Sequence, residues 1–145
     1  MAKKQILDEV KFEADLKQNV STETIRNSIR ELLEFGRVYA EVLHQGNAQL
    51  GSFNYAIAVG NKNVNLFTVY NSGKVSISFE NFSLLVPNRF TRTLYKRLVS
   101  LPGFQHVENY EKFPGFLIEE TLVEPDVMMS FQSAIREFQD GVAAF

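Results

Sequence analysis

Residues 53–79 read FNYAIAVGNKNVNLFTVYNSGKVSISF, and this stretch decides the fold. In its first seven residues, aromatic and β-branched side chains alternate with small or polar ones, which is typical of a strand that buries one face. The segments 60–63 and 71–73 are rich in Gly and Asn, which allow the positive φ angles of tight turns. Such short turns join antiparallel strands, so the stretch predicts an antiparallel meander, preceded by a further strand over 38–44. The three strands of the predicted meander span 53–59, 64–70 and 75–79.

Helical periodicity replaces this alternation on both sides of the meander. A first helix is expected over 6–18, where Leu7, Val10 and Ala14 recur at helical spacing. Ser21 has the chemistry of an N-cap for a second helix over 22–39, whose apolar residues define one buried face. The buried face of this second helix is expected to comprise Ile25, Ile29, Leu32, Leu33 and Gly36.

Downstream of the meander, prolines mark the ends of two more helices. One follows Pro87 and stops at Pro102-Gly103, and its apolar stripe is Phe90, Leu94, Leu98 and Leu101. The last helix begins at Pro125, a residue favoured in the first helical position. One or two short strands are expected within 105–122. The fold class is therefore α+β, an antiparallel β-meander sheet with helices packed mainly on one face, in one domain spanning residues 1–145.

The composition excludes several classes of site. The chain has 145 residues, of which 45% are hydrophobic, and it contains no cysteine, which rules out disulfides, thiolate metal sites and cysteine nucleophiles. No apolar run approaches the roughly 18 residues of a membrane span, and no apolar segment of a signal peptide follows Met1. We therefore expect a soluble, cytoplasmic protein that does not bind membranes.

Residues able to carry catalysis are scattered. His44 and His106 lack metal-ligand spacing, and Ser52 lacks the second glycine of a nucleophile elbow. Glu119 and Glu120 are adjacent, so on a strand they would point to opposite faces. No phosphate-binding glycine motif occurs. The sequence thus predicts no catalytic residues, no metal site and no cofactor, and hence not an enzyme.

The charge is unevenly distributed along the chain. The net charge is −2, yet residues 42–107 carry six Lys or Arg against one acid, and residues 108–145 carry two against eight. Either the acidic terminal helix packs onto the basic segment and neutralises it, or a basic face stays open for phosphate. On a helical wheel Arg89, Arg92 and Lys96 fall within about 60° of one another.

Aromatic residues supply the second part of the predicted site. Thirteen Phe and five Tyr are present, and those on the meander either form the core or offer an open face on which bases stack. We favour the core for most of them and single out Tyr70, which lies near Lys74 in a hairpin. The candidate nucleic-acid-binding residues are Arg89, Arg92, Lys96, Lys74 and Tyr70.

Several segments together resemble a known family. They are Leu32-Leu33-Glu34-Phe35-Gly36-Arg37, then Gly46, Gly51-Ser52-Phe53, the run from Leu66 to Val75, the basic helix, and Phe113-Pro114-Gly115 before Leu122. Their order resembles an uncharacterised α+β domain that accompanies restriction-endonuclease-like nuclease modules in bacterial proteins. The resemblance covers about Ile29 to Phe138 and implies a non-catalytic accessory near bacterial or phage DNA-processing or defence machinery.

Three hypotheses for function follow. The first is a non-catalytic domain that contacts nucleic acid or a nuclease partner through the basic helix and neighbouring hairpins. The second is a protein-interaction module, including a homo-oligomer, that uses exposed Phe residues and the acidic last third. The third is a small-molecule binder with a pocket between sheet and helices.

Overall fold

The computed structural model describes residues 9–44, 53–70, 72–82, 84–104 and 115–144, and its centre is one antiparallel sheet. Five strands follow one another across the sheet in chain order, each paired with the next. The meander is thus confirmed, as are the strand expected before it, which begins only at Glu41, and a short strand within 105–122. The strands are β1 (Glu41–His44), β2 (Phe53–Val59), β3 (Lys62–Val69), β4 (Lys74–Ile77) and β5 (Gly115–Leu117).

Five helices accompany the sheet in the described part of the chain. They are α1 (Glu9–Asn19), α2 (Glu23–Tyr39), the single turn α3 (Phe79–Phe82), α4 (Asn88–Val99) and α5 (Pro125–Ala144). The second helix and the terminal helix agree with expectation, and α5 begins at the predicted proline. A 3-10 turn, Ile118–Glu120, separates β5 from α5.

Aromatic rings hold α2 and α5 against the sheet. The ring of Tyr55 in β2 stacks on Phe35 of α2 at 5.2 Å and on Phe67 of β3 at 4.6 Å between centroids. Phe67 in turn meets the edge of Phe131 in α5 at 5.5 Å, and Phe53 meets Phe12 of α1 at 5.7 Å. These meander rings are buried, so the core interpretation is confirmed, and the helices share one face of the sheet.

The opposite face of the sheet is polar. Thr68 donates to Asn54 Oδ1 at 2.7 Å, and Asn65 donates to Thr68 Oγ1 at 3.0 Å. A bulge at Leu66 makes this possible, because it shifts the register between Tyr55 and Ala56 and places Asn65 beside Thr68 on the outer face. Thr68 and Ser78, which both accept from the Asn65 side chain, are buried.

The first helix buries a different face from the one expected. Phe12 and Leu16 are buried, whereas Val10 is 81% exposed and Ala14 is also exposed. A partly exposed ion pair joins Glu13 to Arg30 of α2, and the hydrogen bond from the Arg30 side chain lowers the pKa of the Glu13 carboxyl. The rotation of α1 is set instead by the packing of the buried Phe12 ring against Phe53 of β2. This tertiary contact overrides the weak periodicity of the segment.

Three other local expectations were wrong. The N-cap of α2 is Thr22 rather than Ser21, and its side chain makes no capping hydrogen bond. The third meander strand was expected to reach Phe79, but it ends at Ile77 because Phe79 opens α3 and turns its ring into the core. Glu119 and Glu120 lie in the 3-10 turn, both exposed, and not on a strand. Residues 105–114, with His106 among them, lie outside the described residues.

Replacing Phe67 with alanine tests the ring cluster. We expect Phe67→Ala to lower the free energy of unfolding by about 3–5 kcal/mol, because a fully buried ring is replaced by a cavity. Urea denaturation followed by circular dichroism measures this loss. The control Leu84→Ala, at a side chain 85% exposed, should change the value by less than about 0.5 kcal/mol. Equal values for the two variants would contradict the assigned core.

Candidate nucleic-acid interface

Helix α4 presents a basic ridge, which we define as Arg89, Arg92 and Lys96. All three side chains are exposed, while Leu94 and Leu98 on the opposite side of the helix are buried. The ridge points away from the body of the protein because the apolar stripe fixes the rotation of the helix. The sequence predicted this face correctly.

The first turn of α4 adds to the positive potential of the ridge. It holds no acidic residue, whereas α2 has Glu23 and α5 has Asp126 in the corresponding turn. Acidic side chains at these positions normally offset the positive end of the helix dipole. In α4 Arg89 stands there instead, with its guanidinium 4.8 Å from the centroid of the Phe90 ring.

The acidic helix α5 lies beside α4 but neutralises only its flank. Glu137 forms an ion pair with Arg97, which is outside the ridge. Arg92 and Lys96 form no ion pair with another described residue. Both interpretations of the charge pattern therefore hold locally: α5 does pack on the basic segment, and the outer face of α4 stays open.

The end of α4 is fixed by a close backbone contact. Gly103 has φ +87°, and a Cβ there would lie 2.5 Å from the carbonyl oxygen of Glu120. Immediately after it, Phe104 is buried against Phe116 of β5, with ring centroids 4.3 Å apart. These contacts tie the C-terminal end of α4 to the sheet and the 3-10 turn.

Tyr70 and Lys74 do not join the ridge. The Tyr70 amide donates to the Lys74 carbonyl at 2.8 Å, so the two residues face each other across the β3–β4 hairpin. The neighbouring Val75 is buried on the helix side, which places Lys74 on the polar face of the sheet, with its side-chain stem across Gly115. The five predicted residues therefore form two separate surfaces.

A cavity of about 270 Å³ lies between α4 and α5. The predicted pocket was between the sheet and the helices, whereas both walls of this cavity are helices. The sequence does not predict this cavity, because the periodicity of each helix does not determine how closely α4 and α5 pack. Its lining residues include Phe90, Leu94, Phe138, Gly141 and the paired Arg97 and Glu137.

The described residues also bear on metal binding and on membrane insertion. Within them, no three His, Asp or Glu residues come close enough together to hold a metal ion. His44 is on β1, with its side chain outside the description. None of the helices in these ranges is long and apolar enough to cross a membrane.

Comparison with protein-family models, curated proteins and solved structures finds no match to this chain. The resemblance to a nuclease-associated domain therefore stays a prediction.

Two glycine substitutions test how the end of α4 is held. A Cβ at Gly103 or at Gly115 would lie 2.5 Å from its nearest atom. At Gly103 that atom is a backbone oxygen and φ is positive, so Gly103→Ala should lower the free energy of unfolding by about 1–3 kcal/mol. At Gly115 the atom is Cε of Lys74, which can swing aside, and Gly115→Ala should change the value by less than about 0.5 kcal/mol. Urea unfolding compares them, and equal losses would contradict the contact.

Proposed function

We propose that this protein is a non-catalytic nucleic-acid-binding domain that contacts phosphates through the basic ridge of α4. The observation that carries the proposal is that Arg92 and Lys96 stay exposed beside Arg89 although α5, with its acidic side chains, packs on the same helix. Cationic groups on one solvent-facing ridge can neutralise successive phosphates. Following the resemblance, we place this contact in bacterial or phage DNA-processing or defence machinery.

The ridge supports weak binding that depends on backbone charge. Three cations supply an electrostatic contact with dissociation constants of about 10⁻⁴–10⁻⁶ M at physiological salt. The ridge carries no aromatic side chain that would stack on bases, so the proposal predicts little preference for sequence. A stronger or more specific contact would come from the partner nuclease module that the resemblance implies.

Lys74 and Tyr70 are not part of the proposed contact between the ridge and the phosphates. Because they lie on the outer face of the sheet, a duplex seated on α4 does not reach them. Substitutions at these two positions should leave binding to the ridge unchanged. A single strand that crosses the polar face and stacks on Tyr70 would be a second, separate contact.

Charge reversal on the ridge tests the proposal. With three phosphate contacts, affinity for labelled duplex DNA should fall roughly 40-fold between 50 and 200 mM salt. The double variant Arg92→Glu with Lys96→Glu should abolish measurable binding at both salt concentrations. Fluorescence anisotropy with labelled DNA and RNA measures these changes.

The matched control is Lys11→Glu with Lys17→Glu, which changes the net charge equally at two exposed positions on α1. This control should keep the salt dependence of the original protein. If the ridge variant retains the affinity of the control, the proposed function is wrong.

Removing the neighbouring acid should strengthen binding. Glu137→Gln removes one negative charge beside the ridge and releases Arg97 from its ion pair. We expect affinity for duplex DNA at 50 mM salt to rise about two- to fivefold, with a steeper salt dependence. Glu31→Gln, an exposed acid on α2, is the control and should change affinity little. Unchanged binding by Glu137→Gln would show that Arg97 lies out of reach of the bound phosphates.

A further inference from the structure

A second surface, on the other side of α5 from α4, has the features of a docking groove. Val38 is 62% exposed, Tyr39 43% and Met129 70%, and all three line one groove between α2 and α5. Phe35 and Met128 form its buried floor. Single exposed apolar residues are ordinary on protein surfaces, but a contiguous lined groove marks an interaction site.

The groove has the shape of a helix-binding site. At one end Glu31 of α2 lies near Pro125 of α5, and at the other Tyr39 lies near Arg136, so the two helices run in the same direction. The two walls face each other from Glu31 to Tyr39, about 12 Å, which matches two turns of a helix, and the α5 wall continues to Asp140. The described walls are helical and offer no free strand edge for β-addition.

Tyr39 is held in place by side chains of α5. The Arg136 guanidinium lies 4.1 Å from the centroid of its ring, and Gln139 donates to the Tyr39 carbonyl at 3.0 Å. The Tyr55 hydroxyl donates to the side-chain oxygen of that same glutamine, and burial raises the pKa of the Tyr55 phenol. One wall of the groove is therefore preorganised, which lowers the entropy cost of binding.

The rim of the groove is acidic. Glu31, Glu34, Glu137 and Asp140 line it against the single guanidinium of Arg136. Glu34 and Glu137 are paired with arginines outside the groove, whereas Glu31 and Asp140 form no ion pair with another described residue. An apolar floor with an acidic rim is complementary to an amphipathic segment with basic flanks.

We propose that the α2–α5 groove docks a basic amphipathic helix from a partner protein, with apolar side chains at i, i+3 or i+4, and i+7 seated against Val38, Tyr39 and Met129. Methionine at the surface suits this role because its flexible side chain adapts to different anchors. A second copy of the chain fits less well. If two copies met groove to groove, their acidic rims would face and repel each other. If the ridge of α4 of one copy met the groove of the other, it would bring no apolar side chain to cover the floor.

The probe is a fluorescein-labelled 15-residue peptide of leucine and lysine in amphipathic order. We expect it to bind the full chain, and two matched peptides to bind at least tenfold more weakly in fluorescence anisotropy. One has the same composition in scrambled order, and the other carries glutamate in place of lysine. Equal binding of either matched peptide would overturn the proposal, as would no binding of the probe.

Variants locate the contact. Val38→Asp and Met129→Asp change exposed side chains, so the fold should be kept, and each should weaken the peptide at least tenfold. Leu84→Asp places the same charge on an exposed leucine outside the groove and should change affinity less than twofold. If Leu84→Asp weakens binding as much as the groove variants, the site is wrongly placed.

Charge variants and light scattering complete the test. Glu31→Gln with Asp140→Asn should weaken binding of the peptide two- to fivefold at low salt. Glu119→Gln with Glu120→Gln, which changes two exposed acids elsewhere, should have little effect.

Light scattering tests whether a second copy occupies the groove. A dimer that Met129→Asp dissociates would assign the groove to a second copy and overturn the proposal. The outcome is independent of whether the ridge of α4 binds nucleic acid.

Discussion

The column of rings from Phe35 through Tyr55 and Phe67 to Phe131 is the constraint on which the rest of the structure depends. It joins α2, two central strands and α5 through three successive contacts of 4.6–5.5 Å between centroids. Such pairs add about 0.5–1.5 kcal/mol each to the burial of the rings themselves. Because this column fixes both helices on one sheet face, it also fixes the groove between them and the wall against which α4 packs.

A one-sided sheet explains why the predicted site divides in two. Successive residues in a strand point to opposite faces, so a hairpin with a buried Val75 must place Lys74 on the outer face. The ridge of α4 belongs to the helical layer and cannot share that face. Helical spacing predicts which side chains share the ridge, but it does not predict where the hairpin of Tyr70 and Lys74 lies relative to α4.

Elements with a strong period were predictable from sequence, and those set by tertiary contact were not. The α2 boundary differs by one residue from expectation, and Pro125 marks the start of α5 because its fixed φ suits a first helical turn. The rotation of α1 depends on the packing of Phe12 against Phe53, and the turn α3 depends on a place for Phe79 in the core. The α2–α5 groove had no sequence signal, because Val38 and Met129 become neighbours only through packing.

Helix α5 separates two surfaces of opposite charge. On the side of α4, Glu137 of α5 forms an ion pair with Arg97. On the other side, Asp140 of α5 lies on the rim of the groove. Cations therefore point outward on α4, whereas the carboxylates around the groove come from α2 as well as from α5. Under the two proposals, an anionic ligand is attracted to the ridge and repelled from the groove, and a cationic helix is affected in the opposite way. Under these proposals the two ligands occupy different sides of α5.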